Sequence, residues 1–280
     1  MANRGQKFPA PGRAPDAPGG DPGSEVTSES GGASTSPEAA AIARRFALLW
    51  DPPAPSTLGR KARLNQDAVV DAAIDLVQES GLDSLSMRGV AARLGVGAMS
   101  LYTYVPGRSE LVDLMIDRAY ASLELPGSDA DWRPALEQHA RQTYALFRRH
   151  SWIVALNRDR LPLAPHVLDA EEAGLRTLID TGLPEQRVVE VLELVNGFVW
   201  GLASTAAREA AESEATGQGY GEYWRDRSGF WETYFDAERY PSMTRVYLAG
   251  AFDEGTDFDR VLDRLLDSVE YMIERTVDGP

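Results

Sequence analysis

Residues 85–108 read LSMRGVAARLGVGAMSLYTYVPGR, and this stretch decides the fold. Its spacing predicts two short helices joined by a tight turn at Leu94-Gly95-Val96. Ser86 is placed to cap the first helix, with Val90, Ala91 and Leu94 facing inward. In the second, Leu101 and Val105 are the expected anchors, which turns Ala98, Met99, Ser100, Tyr102, Thr103 and Tyr104 outward. That is a helix-turn-helix, whose second helix has the size to enter the major groove of DNA.

Upstream, Asn65 is a good N-cap for a helix carrying Val69, Ala73, Leu76 and Val77 at helical spacing, closed by a left-handed Gly81. Downstream, Pro106-Gly107 breaks the chain before a helix over 108–123 with Leu111, Leu114, Met115 and Ala119 on one side. Pro126-Gly127 marks a boundary. The organisation expected is a disordered extension (1–37, rich in Gly, Pro, Ser and Ala), a short helix and basic arm (38–63), a helix-turn-helix domain (64–125) and a larger helical domain (126–280). Pro52, Pro53 and Pro55 stop the short helix. The arm, with Arg60, Lys61 and Arg63, suits a minor groove; it reads equally well as a solvated linker.

A formal net charge of -15 argues at first against a nucleic-acid partner. Its distribution removes the objection. Between Arg60 and Arg118 seven basic residues stand against eight acidic ones, so the excess lies elsewhere. Asp67, Asp71 and Asp75 recur every four residues and share one helical face, which can point away from DNA. With no cysteine, and with His139, His150 and His166 lacking ligand spacing, neither a metal nor another cofactor is expected. No apolar run near 20 residues and no signal-peptide pattern stand out, so a cytoplasmic protein without a membrane span is expected.

Beyond residue 130 everything reads as helix, over about 131–149, 152–160, 165–181, 184–213, 220–236 and 257–276. The fold class is therefore all-α: a three-helix helix-turn-helix domain plus a larger helical domain. Stripes in 184–213 (Val188, Leu192, Val195, Phe198, Leu202, Ala206) and 257–276 suit a two-fold four-helix interface, hence a homodimer; the plainer alternative is that they serve the monomer core.

The series GLDSLSMRGVAARLGVGAMSLYTYV, with LGV, then LY, then Pro-Gly-Arg and an apolar helix, resembles the DNA-binding domain of the TetR family, most closely its tetracycline-repressor branch. Arg-His-Ser-Trp (149–152) and the helical remainder also look like that branch's ligand domain. The resemblance implies a regulator released from a palindromic double-stranded operator by a small molecule, and roles for particular residues. Arg88 would reach a base edge; Ser86 would bond a phosphate while capping, with Met87 beside it; Ala98, Met99, Ser100 and Thr103 would line the reading helix; Tyr102 and Tyr104 would contact phosphate or thymine methyl groups, Tyr104 the phosphate; Arg108 would clamp the backbone. Ala98 and Met99 depart from a base-naming pattern, since neither side chain can make amide or guanidinium bonds.

Aromatic density nominates an effector site at Trp152, Leu156, Asn157, Asn196, Phe198, Trp200, Thr205, Tyr223, Trp224 and Trp231, suited to an aromatic or polyketide-like molecule. Any one of these aromatics reads as simply as core or interface. Two other functions are weighed: a DNA-binding regulator whose C-terminal half only dimerises or binds protein, and a helical enzyme. Glu171-Glu172 and Glu190 with Glu193 have no nucleophile or phosphate loop beside them, so no enzyme is expected.

Overall fold

The structure is a computed structural model that describes residues 36–51, 64–156, 161–251 and 257–277. Among the described residues the regular elements are helices and no strand occurs. The chain divides between Ala40 and Ala41 into two units. In the first, Ser36 caps a helix: its Oγ accepts from the Ala39 amide at 3.1 Å and its carbonyl from the Ala40 amide at 3.0 Å. The second unit, 41–280, holds residues 41–50 of that helix and every later element. Arg60, Lys61, Arg63 and Asn157 lie outside the described residues.

Helix α1 is Pro37–Trp50. Helix α2, Gln66–Ser80, starts where the Asn65 side chain accepts from the Ala68 amide at 2.8 Å. It buries Val69, Val70, Ala73 and Val77. Gly81 ends it with φ 77 and ψ 165, so the positive φ was foreseen but the backbone is extended in ψ rather than left-handed helical. A 3-10 turn, Leu82–Ser84, leads to α3, Met87–Leu94, capped by Ser86 Oγ on the Gly89 amide. Gly95, at φ 67 and ψ 33, then reverses the chain in a left-handed conformation that an L side chain resists. The amide of Val96 returns to the carbonyl of Ala91.

Helix α4 is the single turn Ala98–Leu101, and α5 is Arg108–Tyr120. Leu101, Val105, Leu111 and Met115 are fully buried between α2, α3 and α5, which sets the pitch of α4 against the rest. The helix expected to run to Leu123 stops at Tyr120, where the Ser122 hydroxyl takes the Ala119 carbonyl at 2.7 Å.

The remainder holds α6 (Trp132–Arg149), α7 (Pro165–Arg176), α8 (Glu185–Thr216), α9 (Tyr220–Asp226), α10 (Ser228–Thr233), α11 (Pro241–Leu248) and α12 (Phe258–Val277). Helices α6 and α8 pack together, α7 closes against both and against α5, and α12 flanks α6 and α8. Besides α8, which runs to Thr216 rather than 213, three of the expected helices are altered. Residues 151–156 form successive turns instead of a helix, because His150 leaves helical geometry at φ -118 and ψ 60. α7 stops at Arg176, where the Thr177 hydroxyl takes the Gly174 carbonyl. The helix expected over 220–236 is broken at Arg227 into α9 and α10. Helix α11, opened by Pro241, went unread.

α8 is more apolar than the sequence reading allowed. A window of 18 residues within it has mean hydropathy 1.3, enough by length and composition to cross a membrane, and one third of that window is buried inside the protein. Val188, Leu192, Val195 and Val199 form that buried side, while Val189 and Leu194 are exposed on the other.

Candidate nucleic-acid interface and cavity

The turn at Gly95 and the anchors Leu101 and Val105 push one continuous face outward. On it stand Ser86, Arg88, Met99, Ser100, Tyr102 and Thr103, all exposed, with Met99 the most prominent at 79%. Arg88, in the first turn of α3, has no ion-pair partner among the described residues. The neighbouring cations are spoken for. Arg93 grips Glu79 through two bonds of 2.6 Å, and Arg118 binds Asp67 at 2.6 Å and Asp71 at 3.3 Å. Hydrogen bonding to Glu79 raises the Arg93 pKa, and the same bond lowers that of Glu79. The acidic face of α2 is thus matched by arginines of α3 and α5, leaving Arg88 as a cation open to solvent.

Four residues expected on this face are placed differently. Met87, the first residue of α3, is buried within the hydrophobic core. Ala98 is half-buried at the start of α4, packed on the core. Tyr104 is also half-buried against the core, while Tyr102 is exposed. Arg108 bonds protein: its Nε donates to the Leu85 carbonyl at 3.0 Å and its Nη2 to the Leu82 carbonyl at 3.2 Å. It staples the start of α5 to the loop ahead of α3.

A cavity of about 250 Å³ lies among α5, α6, α7, α8 and the segment 161–164. Its wall includes Tyr120, His139, Thr143, Phe147, Leu163, Val167, Asn196 and Trp200, with Glu171 and Glu193 among the polar members. On α6, His139, Thr143 and Phe147 recur every four residues, and on α8 Glu193, Asn196 and Trp200 fall three and four apart. Each helix therefore gives one stripe to the cavity. The Trp200 ring meets Phe147 edge to face at 5.2 Å. His139 Nε2–H donates to Asn196 Oδ1 at 3.1 Å. Burial holds the His139 pKa below its usual value, against the opposing bond to Asn196, which favours the neutral ring. α7 comes this close because residue 174 is glycine: a Cβ there would stand 2.8 Å from Leu192 Cδ1 and 3.0 Å from His139 Cε1.

Of the described residues nominated for an effector, Asn196 and Trp200 line this cavity. Phe198 points to α12, where it stacks on Phe258 at 5.6 Å, which in turn stacks on Tyr144 at 4.0 Å. Trp152 is buried beside His150, with rings 6.1 Å apart. Leu156 packs half-buried on the core, and Thr205 is exposed on α8. Tyr223 lies under the Arg227 guanidinium at 3.5 Å, and Trp231 packs with Phe230, Phe235 and Tyr247, away from the cavity. The side chain of Trp224 is outside the described set. His139, Thr143 and Phe147 of the cavity wall were not among the expected residues, although their i, i+4, i+8 spacing on α6 carries the signal.

The two halves are joined by side chains. His166, at the start of α7, bonds Asp117 of α5 through its amide and its Nδ1, both at 2.8 Å. Gln78 Nε2 of α2 lies 3.2 Å from His150 Nδ1 at the end of α6.

Residues 69–115 match the family described as bacterial regulatory proteins, tetR family, and residues 125–273 match the tetracyclin repressor-like C-terminal domain. The chain is 39% identical over 237 residues to the HTH-type transcriptional repressor DrrR1 of Streptomyces coeruleorubidus, covering 83% of this chain and 87% of that one. It is 31% identical over 230 residues to the class A tetracycline repressor from transposon 1721 of Escherichia coli, covering 78% and 97%. Among solved structures, ActR of Streptomyces coelicolor in complex with actinorhodin is similar, with TM-score 0.63 and 26% identity over 76% of this chain and 96% of that one.

Proposed function

The chain belongs to the TetR family of ligand-responsive transcriptional repressors, and on that premise we propose how this member reads DNA and what releases it. Two copies pair through α8 and α12 and present their α3–α4 faces to successive major grooves of a palindromic operator. Arg88 makes the base-naming contact, as a guanidinium can with guanine. Met99 and Tyr102 supply apolar contacts, and Ser86, Ser100 and Thr103 bond phosphate. Ala98 and Met99 cannot name bases through hydrogen bonds, so DNA shape carries part of the choice. The basic arm, Arg60, Lys61 and Arg63, adds phosphate contacts that weaken as salt rises. The repressor works in the cytoplasm beside its DNA and carries out no catalysis.

The effector is an aromatic, polyketide-like molecule seated in the cavity between α6, α7 and α8. The observation that carries this is the cavity's wall: Phe147, Trp200 and Tyr120 supply flat apolar surface, and the His139–Asn196 pair supplies the polar group that orients a ring oxygen. Actinorhodin, the ligand in the similar ActR structure, is the first probe. At about 250 Å³ the cavity is a little under the usual ~300–1,000 Å³ of a drug-sized site. Seating a multi-ring molecule therefore requires the wall to yield at 161–164 or at Tyr120. Tyr120 is the last residue of α5, whose first residue, Arg108, is seven positions beyond the end of the reading helix at Leu101. Displacing it swings the reader, and the effector's preference for the displaced arrangement is the coupling energy. The test is a panel of aromatic polyketides headed by actinorhodin. At least one should raise the melting temperature and release the chain from its operator at similar concentrations. A panel that does neither overturns the effector assignment.

A further inference from the structure

Helix α1 is used by neither the reading face nor the cavity wall, yet its residues 41–50 touch the surroundings of both. Leu49 enters the core. Arg45 lies on α5, where its Nη2 donates to Asp113 Oδ1 at 2.6 Å and its Nε to Oδ2. Asp113 is 3% exposed, in the middle of α5. A carboxylate so deep is costly without a partner, so this pair fixes α1 to α5. At the end of the helix, Trp50 Nε1–H donates to the Leu163 carbonyl at 2.9 Å. Leu161, Pro162 and Leu163 are the lip of the cavity. The lip runs into α7, whose His166 is held by Asp117. Asp113 and Asp117 are four residues apart and so share one face of α5.

These joints close a loop: α1 to α5 through Arg45, α5 to α7 through Asp117, and α1 to the lip through Trp50. We propose that α1 is a strap that couples the cavity lip to α5, so that a displacement at either end is transmitted to the other. Moving Leu163 outward with α5 fixed either breaks the indole bond or drags α1, and α1 cannot slide without parting Arg45 from Asp113. The outer side of the helix, Ile42, Phe46 and Trp50, is largely exposed, so the described joints and Leu49 hold it rather than a surrounding core. Such an element shifts as a unit instead of deforming. The strap's regulatory meaning rests on the cavity being the effector site; its mechanical linkage does not.

Amide hydrogen exchange on the full chain tests it without any effector. Trp50→Phe removes only the indole donor, at a half-exposed position. Arg45→Met with Asp113→Asn removes the ion pair without stranding a buried charge. The strap predicts transmission in both directions. Trp50→Phe should speed exchange about threefold or more within 109–118 as well as at 161–168, and the double substitution should speed it at 161–168 as well as within 109–118. Effects confined to the segment each substitution touches would overturn the proposal. If the double variant fails to fold, Trp50→Phe alone decides between the same outcomes. An empty effector screen would leave this result untouched, and confined exchange would leave the effector assignment untouched, so the two failures are distinguishable.

Discussion

The segment from α2 to α5 and the segment from α6 to α12 are both helical, but they are built on different contacts. In the first, the decisive interactions are short in sequence: Asn65 caps Ala68, Ser86 caps Gly89, Gly95 turns the chain, and Leu101 fixes the one-turn reading helix. In the second, the cavity is made by residues that meet only after folding, such as His139 with Asn196, 57 positions apart. The first segment presents a surface set by these local contacts. The second wraps a space whose shape depends on α6, α7 and α8 together. A repressor needs both, because DNA reading rewards a fixed face while release requires a wall that yields.

If the reading face is set by those local contacts, damage to its anchor should dominate. Leu101→Ala removes a fully buried side chain that holds α4, and should cost about 2–5 kcal/mol of unfolding free energy, read by denaturant titration, together with operator binding. Arg88→Ala should leave stability unchanged and lose about 1–3 kcal/mol of operator affinity, with relaxed choice at one position per half-site. Equal loss on random DNA would place Arg88 on phosphate. In the other half, Gly174→Ala presses a methyl group on Leu192 and His139, and should cost about 1–3 kcal/mol of stability while weakening effector response more than DNA binding.

A smaller effect comes from the buried histidines. Burial depresses the pKa of His139 and, with Arg149 nearby, that of His150. The folded state therefore favours their neutral forms. Their contribution is whole above the ordinary histidine pKa of about 6.5 and declines as pH falls toward the depressed values. The melting temperature should drop on acidification through that window, and His139→Gln should lessen the drop. Smallest of all, Arg93→Gln should leave operator affinity within about twofold, because Arg93 is engaged by Glu79 and Asp75 on the acidic face of α2. A loss as large as that of Arg88→Ala would mean the two cations share one surface.

The same contrast explains what the sequence made legible. The all-α class, both caps, the Gly95 turn and the outward Met99, Ser100, Tyr102 and Thr103 follow from local pattern, whereas Arg88 was implied by the family resemblance, and Ala98 and Tyr104, expected outward on the same pattern, are half-buried. Arg108 did not, since the carbonyls it binds belong to Leu82 and Leu85, 26 and 23 residues earlier. Met87 did not either, because a helix's first residue can turn in or out depending on what packs above it. In the second half, aromatic density pointed to Tyr223, which lies under Arg227, and Trp231, which packs with Phe230, Phe235 and Tyr247, and neither lines the cavity. Asn196 and Trp200 were found, but His139 reads as an isolated histidine until α8 is laid beside α6.

The claim on which the rest depends is that paired α3–α4 faces enter successive major grooves of one operator. Selection of bound DNA from a random pool by the full chain tests it most directly. The expected product is an inverted repeat with half-site centres about 34–36 Å apart, in which Arg88→Ala erases choice at one matching position in each half. Enrichment of a single unrepeated site, or of no sequence at all, would contradict it.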